Sequence, residues 1–309
     1  MNRKHVTLAD NERDAMALLD DHDAEELAFL RSEVSRLRRE LNNVTPSLDM
    51  LLKRRGFRVY KKEPTDDLLV PDMPFRESYY TALHKYSFRL FLRDVIKHQE
   101  RFTPEQVTRY ATTRVIRAYL GYLLDSNMSA EGAAGFTLSR RPITSFGPTL
   151  EWYVAELLKQ EFGAETYWGV KFRRPKVGGD YDVLAKLDGS LLYVEVKSSP
   201  PKQVTDSEIA AFLDRVDDLA PEAAVFLMDT ELRMKDKVVP LFEQELAKRE
   251  AVPLPVLRIE KELFHLQDRI FIVNAKESIG RNIEKVITRY FRTRSVHEDE
   301  GKRKGSAYS

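Results

Sequence analysis

The chain contains no cysteine. That one absence excludes disulfides, thiolate-held zinc, iron–sulfur clusters and a thiol nucleophile. The six histidines include no H-x-x-x-H or H-E-x-x-H pair, so the clustering a zinc hydrolase needs is missing. Neither a P-loop nor a G-x-G-x-x-G run is present, and no G-x-S-x-G elbow announces a serine hydrolase. No apolar run approaches the roughly 18 residues of a transmembrane helix. Met1-Asn2-Arg3-Lys4-His5 leads into Asp10, Glu12 and Asp14, not into an apolar segment. A cytoplasmic location without membrane association is therefore expected. Charge of one sign is lacking too: 50 basic and 49 acidic residues leave a net charge of +1. Any affinity for nucleic acid must come from local patches.

What is present is a chain of 309 residues, 42% of them hydrophobic, enough for about two domains at 100–200 residues each. Residues 1–20 are polar and are expected to be disordered. Over 21–74 the sequence reads as a helix and a connector holding one short strand, Phe57 to Tyr60. Within the helix Leu27, Leu30, Val34, Leu37, Leu41 and Val44 alternate steps of three and four, a heptad stripe flanked by charge. Two readings fit: a helix packed on its own domain, or the short coiled-coil seam of a homodimer.

Residues 75–146 read as helical. The pattern predicts one long helix over Phe75–Gln99, then a start at Phe102-Thr103-Pro104-Glu105 with Thr103 as N-cap. A short helix to Tyr110, a longer one from Thr112 to about Asp125, and a strand or wing over Gly135–Pro142 follow. Helix, turn, helix and wing is the outline of a winged helix-turn-helix. Arg114 and Arg117 on its second helix, with Arg140 and Arg141 in the wing, are the candidate contacts to phosphates and base edges. The alternative is that this region binds only protein or orients its neighbours.

After Phe146-Gly147-Pro148 the texture becomes that of an α/β domain spanning 147–293. Strand-like runs (166–172, 181–187, 191–196, 223–228, 270–273) alternate with helical stretches (149–162, 206–219, 237–249, 278–291). Residues 294–309 are expected as a disordered tail.

The chemistry concentrates in Gly178–Lys197. Asp188-Gly189 between two apolar runs signals a two-residue type I′ hairpin. That turn sets opposed residues to sum to 377, so Val183 faces Val194, Asp182 faces Glu195 and Asp180 faces Lys197. One face is expected to carry Tyr181, Val183, Ala185, Leu187, Leu192, Val194 and Val196 into the core. The other collects Asp180, Asp182, Glu195 and Lys197. Like charges so placed repel by on the order of 4 kcal/mol at 4 Å and an effective dielectric near 20. Protonation or a hard cation held by oxygen would relieve the repulsion. Glu151, on the flank of the apolar stripe of the preceding helix, is the acid best placed to look back at the sheet.

Glu151 on a helix, Asp182 on a strand and Glu195-Val196-Lys197 on the next strand resemble the PD-(D/E)xK superfamily of restriction-endonuclease-like nucleases, over about residues 147–250. The resemblance implies a mixed central sheet flanked by helices, here behind a winged-helix region and a short coiled coil. It implies Mg²⁺-dependent hydrolysis of phosphodiester bonds, in DNA first, with Mn²⁺ as a substitute ion. Asp182 and Glu195 would be ligands, Glu151 would complete the metal shell or bind a second ion, and Lys197 would orient water. No proline precedes the aspartate, and Asp180 competes with Asp182. A winged helix before a Gly-Pro-x-x-Glu start also looks like the C-terminal parts of some prokaryotic ATPases, which implies partner proteins of a defence or mobile-element system. The competing class is a non-catalytic DNA-binding or assembly protein on a nuclease-like scaffold.

Overall fold

The computed structural model describes scattered positions between 26 and 40, then residues 45–107, 111–173, 176–249 and 254–305, with side-chain burial to 293. Two units emerge, residues 1–47 and 48–309. In the first, the described helical positions between 26 and 40 form α1, on which Arg36 bridges Glu33 and Glu40 at 2.8 Å. Leu30, Val34 and Leu37 are exposed on it. Residues 1–20 and the heptad members Leu27, Leu41 and Val44 lie outside the described residues.

The second unit opens with α2 (Leu48–Arg54) and β1 (Val59–Lys61). The single helix expected over 75–99 is two, α3 (Arg76–Leu83) and α4 (Tyr86–Lys97). The break has a cause in Arg89, whose guanidinium takes the carbonyls of Leu83 and His84 at the end of α3. Of the short helix expected to Tyr110, Pro104–Val107 makes one 3₁₀ turn, and residues 108–110 lie outside the described residues. It is followed by α5 (Thr113–Asp125) and a hairpin of β2 (Ser129–Gly132) and β3 (Gly135–Leu138). The remaining elements are α6 (Gly147–Phe162), β4 (Glu165–Phe172), β5 (Tyr181–Leu187), β6 (Ser190–Lys197), α7 (Asp206–Leu219), β7 (Ala223–Met228), α8 (Val238–Arg249), β8 (Leu257–Glu260), β9 (Leu263–Leu266), β10 (Ile270–Asn274) and α9 (Ile279–Gly305). Helix α9 runs through 294–305, which were expected as an unstructured tail; this stretch has no proline to stop it.

Eight strands form one mixed sheet in the order β1-β4-β5-β6-β7-β10-β9-β8. The pairs β6–β7 and β7–β10 are parallel and the rest antiparallel. The run α6-β4-β5-β6-α7-β7 is the restriction-endonuclease-like arrangement. A crossover helix carries the chain from β6 to its parallel neighbour. One apolar cluster joins α3, α4, α5, α6 and α9 to one face of the sheet; the other joins α2, α7 and α8 to the opposite face.

The hairpin forms in the expected register, with Val183 opposite Val194 and Leu187 opposite Ser190. Asp188 and Gly189 have φ +46° and +80°, the positive pair that a type I′ turn requires. The expectation of one apolar and one charged face needs correcting. Both faces are covered by helices, so Leu184, Leu191 and Tyr193 on the Glu195 side are buried as well. Tyr181 also leaves its expected face, packing with Val170, Phe172 and Tyr193, while Val183 and Trp168 stay in the other cluster. The switch occurs across one pair. Trp168 faces Val183 and Val170 faces Tyr181, so Gly169 lies opposite Asp182. Gly169 has φ +55°, a left-handed conformation that breaks the strict period of two.

Candidate active site

Three elements converge at this irregularity. Helix α6 is started by Gly147-Pro148 and stopped by Gly163 at φ +64°, whose amide donates to the Leu158 carbonyl. Leu150, Val154, Leu157 and Leu158 bury its apolar stripe, which turns Glu151 toward β4. A Cβ on Gly169 would sit 3.8 Å from Glu151 Oε2 and only 2.6 Å from Pro64 Cδ. Glycine is what lets the helix carboxylate and the connector both close on this strand. Asp182, opposite it, fixes its own orientation by accepting the Val196 backbone N–H at 2.7 Å.

Glu195 lies on the α7 side and is 1% exposed. Arg215 Nη2 donates to both of its oxygens, at 2.8 and 2.9 Å. The Tyr193 hydroxyl donates to Oε2 and itself accepts from Arg215 Nε at 2.9 Å. Lys197 Nζ is 2.9 Å from Glu195 Oε1 and 3.5 Å from Glu208 Oε1. Glu208 is placed by the capping box of α7, where its other oxygen accepts the Thr205 N–H at 2.9 Å. Asp180, expected opposite Lys197, instead pairs with Lys171 at 3.0 Å. β4 runs on past the end of the hairpin, and its register with β5 brings those two residues together. Of the two competing aspartates, Asp182 is therefore the one set among Glu151, Glu195 and Lys197.

The electrostatics follow from this crowding. Burial, then the charges of Glu195 and Asp180, push the Glu151 carboxyl up to about 7. Burial, then Glu195 and Glu151, push Asp182 well above the ordinary carboxylate range. Burial alone would lower Lys197, but Glu195, Asp182 and Glu208 outweigh it and hold the ammonium charged. Among the described residues Glu151 has neither a hydrogen bond nor an ion pair, and Asp182 has only the Val196 amide.

A divalent ion fits part of this set. Among the described residues no three histidine or carboxylate side chains are grouped to hold an ion. Mg²⁺, however, keeps most of its waters and needs only one or two carboxylates. Glu151 and Asp182, two carboxylates raised by burial and then by neighbouring negative charge, and in no ion pair among the described residues, suit it. Glu195 does not suit it as placed, because its lone pairs are taken by Arg215, Lys197 and Tyr193.

Two buried charged positions beside these residues were not legible in the sequence. Arg215 stands in the apolar stripe Ile209–Phe212–Val216–Leu219 of α7, and a charged residue on a buried stripe was the available signal. Asp229, at the end of β7, is fully buried between Arg89 (2.8 Å) and Arg93, and its amide donates to the Lys197 carbonyl at 2.8 Å. Burial would depress Arg89, but Asp229 more than compensates. This ion pair ties α4 to the end of the E-x-K strand. Arg114, Arg117, Arg140 and Arg141 are all exposed, and Arg141 pairs with Glu100 at 2.9 Å. No described contact joins them to the carboxylates.

Neither a protein-family model nor a curated protein sequence matches the chain. Among solved structures it is similar to Can2 from Sulfobacillus thermosulfidooxidans in complex with cyclic tetra-adenylate, at 15% identity and a TM-score of 0.46. That similarity covers 78% of this chain and 60% of that one. It is also similar to protein VC1899 from Vibrio cholerae, at 16% identity and a TM-score of 0.40, over 62% of this chain and 54% of that one. The chain thus spans little more than half the length of either neighbour.

Proposed function

We propose that this site hydrolyses phosphodiester bonds of nucleic acid, with DNA as the first substrate, in the cytoplasm. One observation carries the reading. Glu151 and Asp182 meet across a glycine, in no ion pair among the described residues, beside the ammonium of an E-x-K strand. A divalent ion held by Glu151 and Asp182, Mg²⁺ with Mn²⁺ as substitute, would neutralise phosphate charge and make water a better nucleophile. The remaining work falls to the chain. Lys197 stays protonated, so it orients water and offsets charge on the phosphate rather than acting as the base. Asp182 is held by the Val196 amide and cannot swing away. Arg89, Asp229 and Arg93 fix the backbone at Lys197. The exposed Arg114, Arg117, Arg140 and Arg141 would neutralise backbone phosphates away from the chemistry.

A panel of single-stranded, duplex and branched DNA and of RNA, with Mg²⁺ or Mn²⁺, tests this. Cleavage should require the ion and fail in Asp182→Ala. Binding without cleavage under every condition would favour the second reading, which the occupied state of Glu195 supports: a non-catalytic nucleic-acid-binding or assembly protein working with partners of a prokaryotic defence or mobile-element system.

A further inference from the structure

The state of Glu195 goes beyond what the E-x-K pattern implies. A carboxylate offers about four lone-pair sites. Arg215 Nη2 reaches both oxygens (2.8 and 2.9 Å), Lys197 Nζ lies on Oε1 (2.9 Å) and the Tyr193 hydroxyl on Oε2. All four sites are used. The donors are also unequal. Lys197 has a second carboxylate in Glu208 at 3.5 Å, whereas Glu195 is the one ion-pair partner of Arg215 among the described residues. Arg215 is buried, as are Phe212 and Val216 of the same helix. The loop before β5 closes on its other side, since a Cβ on Gly179 would lie 3.1 Å from Nη1.

We propose that Arg215 is the resident counter-cation of Glu195 and excludes a divalent ion from it. The ion is left to Glu151 and Asp182, and Arg215 sets the metal affinity of the site. The inference rests on the nuclease reading. It makes Glu195 a positioning residue that holds Lys197 in place, and Arg215 the residue that reserves it for that role.

The experiment is Mn²⁺ titration by calorimetry on the full chain, with thermal melting of each variant as a check on folding. Arg215→Met, which keeps the bulk and removes the charge, releases Glu195 and should tighten Mn²⁺ binding by roughly ten- to hundredfold. Arg215→Lys should fall between Arg215→Met and wild type. In a Glu195→Gln background Arg215→Met should change nothing. Glu195→Gln alone should keep the wild-type affinity, and this arm decides the matter if Arg215→Met does not fold. An unchanged or weakened affinity in Arg215→Met, or loss of Mn²⁺ binding in Glu195→Gln, overturns the proposal. If Asp182→Ala alone abolishes binding in those circumstances, the nuclease reading survives without it. If neither wild type nor any variant takes up Mn²⁺, the nuclease reading itself fails and the proposal falls with it.

Discussion

Glu151 ionises near 4.5 as an ordinary glutamate and near 7 in this site, because it is buried beside other carboxylates. Across that window the folded chain holds a proton that the unfolded chain has lost. Folding stability should therefore fall as pH rises from about 4.5 to about 7 and stay low above it. Asp182, shifted the same way, adds to the fall. In chelator-treated protein, Glu151→Gln should flatten this decline and raise the melting temperature above pH 7. Parallel melting curves for the two proteins between pH 5 and 8 would contradict it. Asp229 is a different case, since its charge is matched by two arginines. Replacing it with asparagine strands a buried Arg89, and breaking such a pair should cost about 3–5 kcal/mol. The shift in the urea midpoint measures this. Asp182, Glu195 and Lys197 could be singled out from spacing and hairpin register, and Glu151 from its place beside the apolar stripe of its helix. Arg215 and Asp229 could not, since each gains its partner from an element distant in sequence.

Among the elements, the hairpin was the most legible, because Asp188-Gly189 dictates its turn and the turn dictates every opposed pair. Local rules reached less far at the β4–β5 pair. There Gly169 flips the alternation and moves Tyr181 to the opposite face, and a lone glycine in an apolar strand does not announce which residue it faces. Gly169→Ala tests this pair. A side chain at φ +55° is strained, and its Cβ would overlap Pro64 at 2.6 Å, so a loss of roughly 1–3 kcal/mol is expected. It should also weaken Mn²⁺ binding by displacing Glu151. A variant as stable as wild type would mean that Gly169 is not needed in this conformation. The edge strand β8 and its neighbour β9 escaped the sequence reading for a simpler reason. Four-residue strands that are either mostly exposed or wholly buried show no period of two.

For the molecule as a whole, Leu30, Val34 and Leu37 of α1 are exposed among the described residues, and we propose that they seat a second copy of the chain. Leu30→Lys with Leu37→Lys should convert a dimer to a monomer in sedimentation. Wild type and variant both sedimenting as monomers would remove the seam. The central claim concerns the sheet and the helices that bring Glu151, Asp182 and Lys197 together, and single-turnover cleavage of end-labelled DNA with Mn²⁺ tests it most directly. Wild type should cut, while Asp182→Ala and Lys197→Ala should not, and Lys197→Ala should still bind the DNA because phosphate contacts are spread over many residues. Cleavage that persists in both variants would contradict the account.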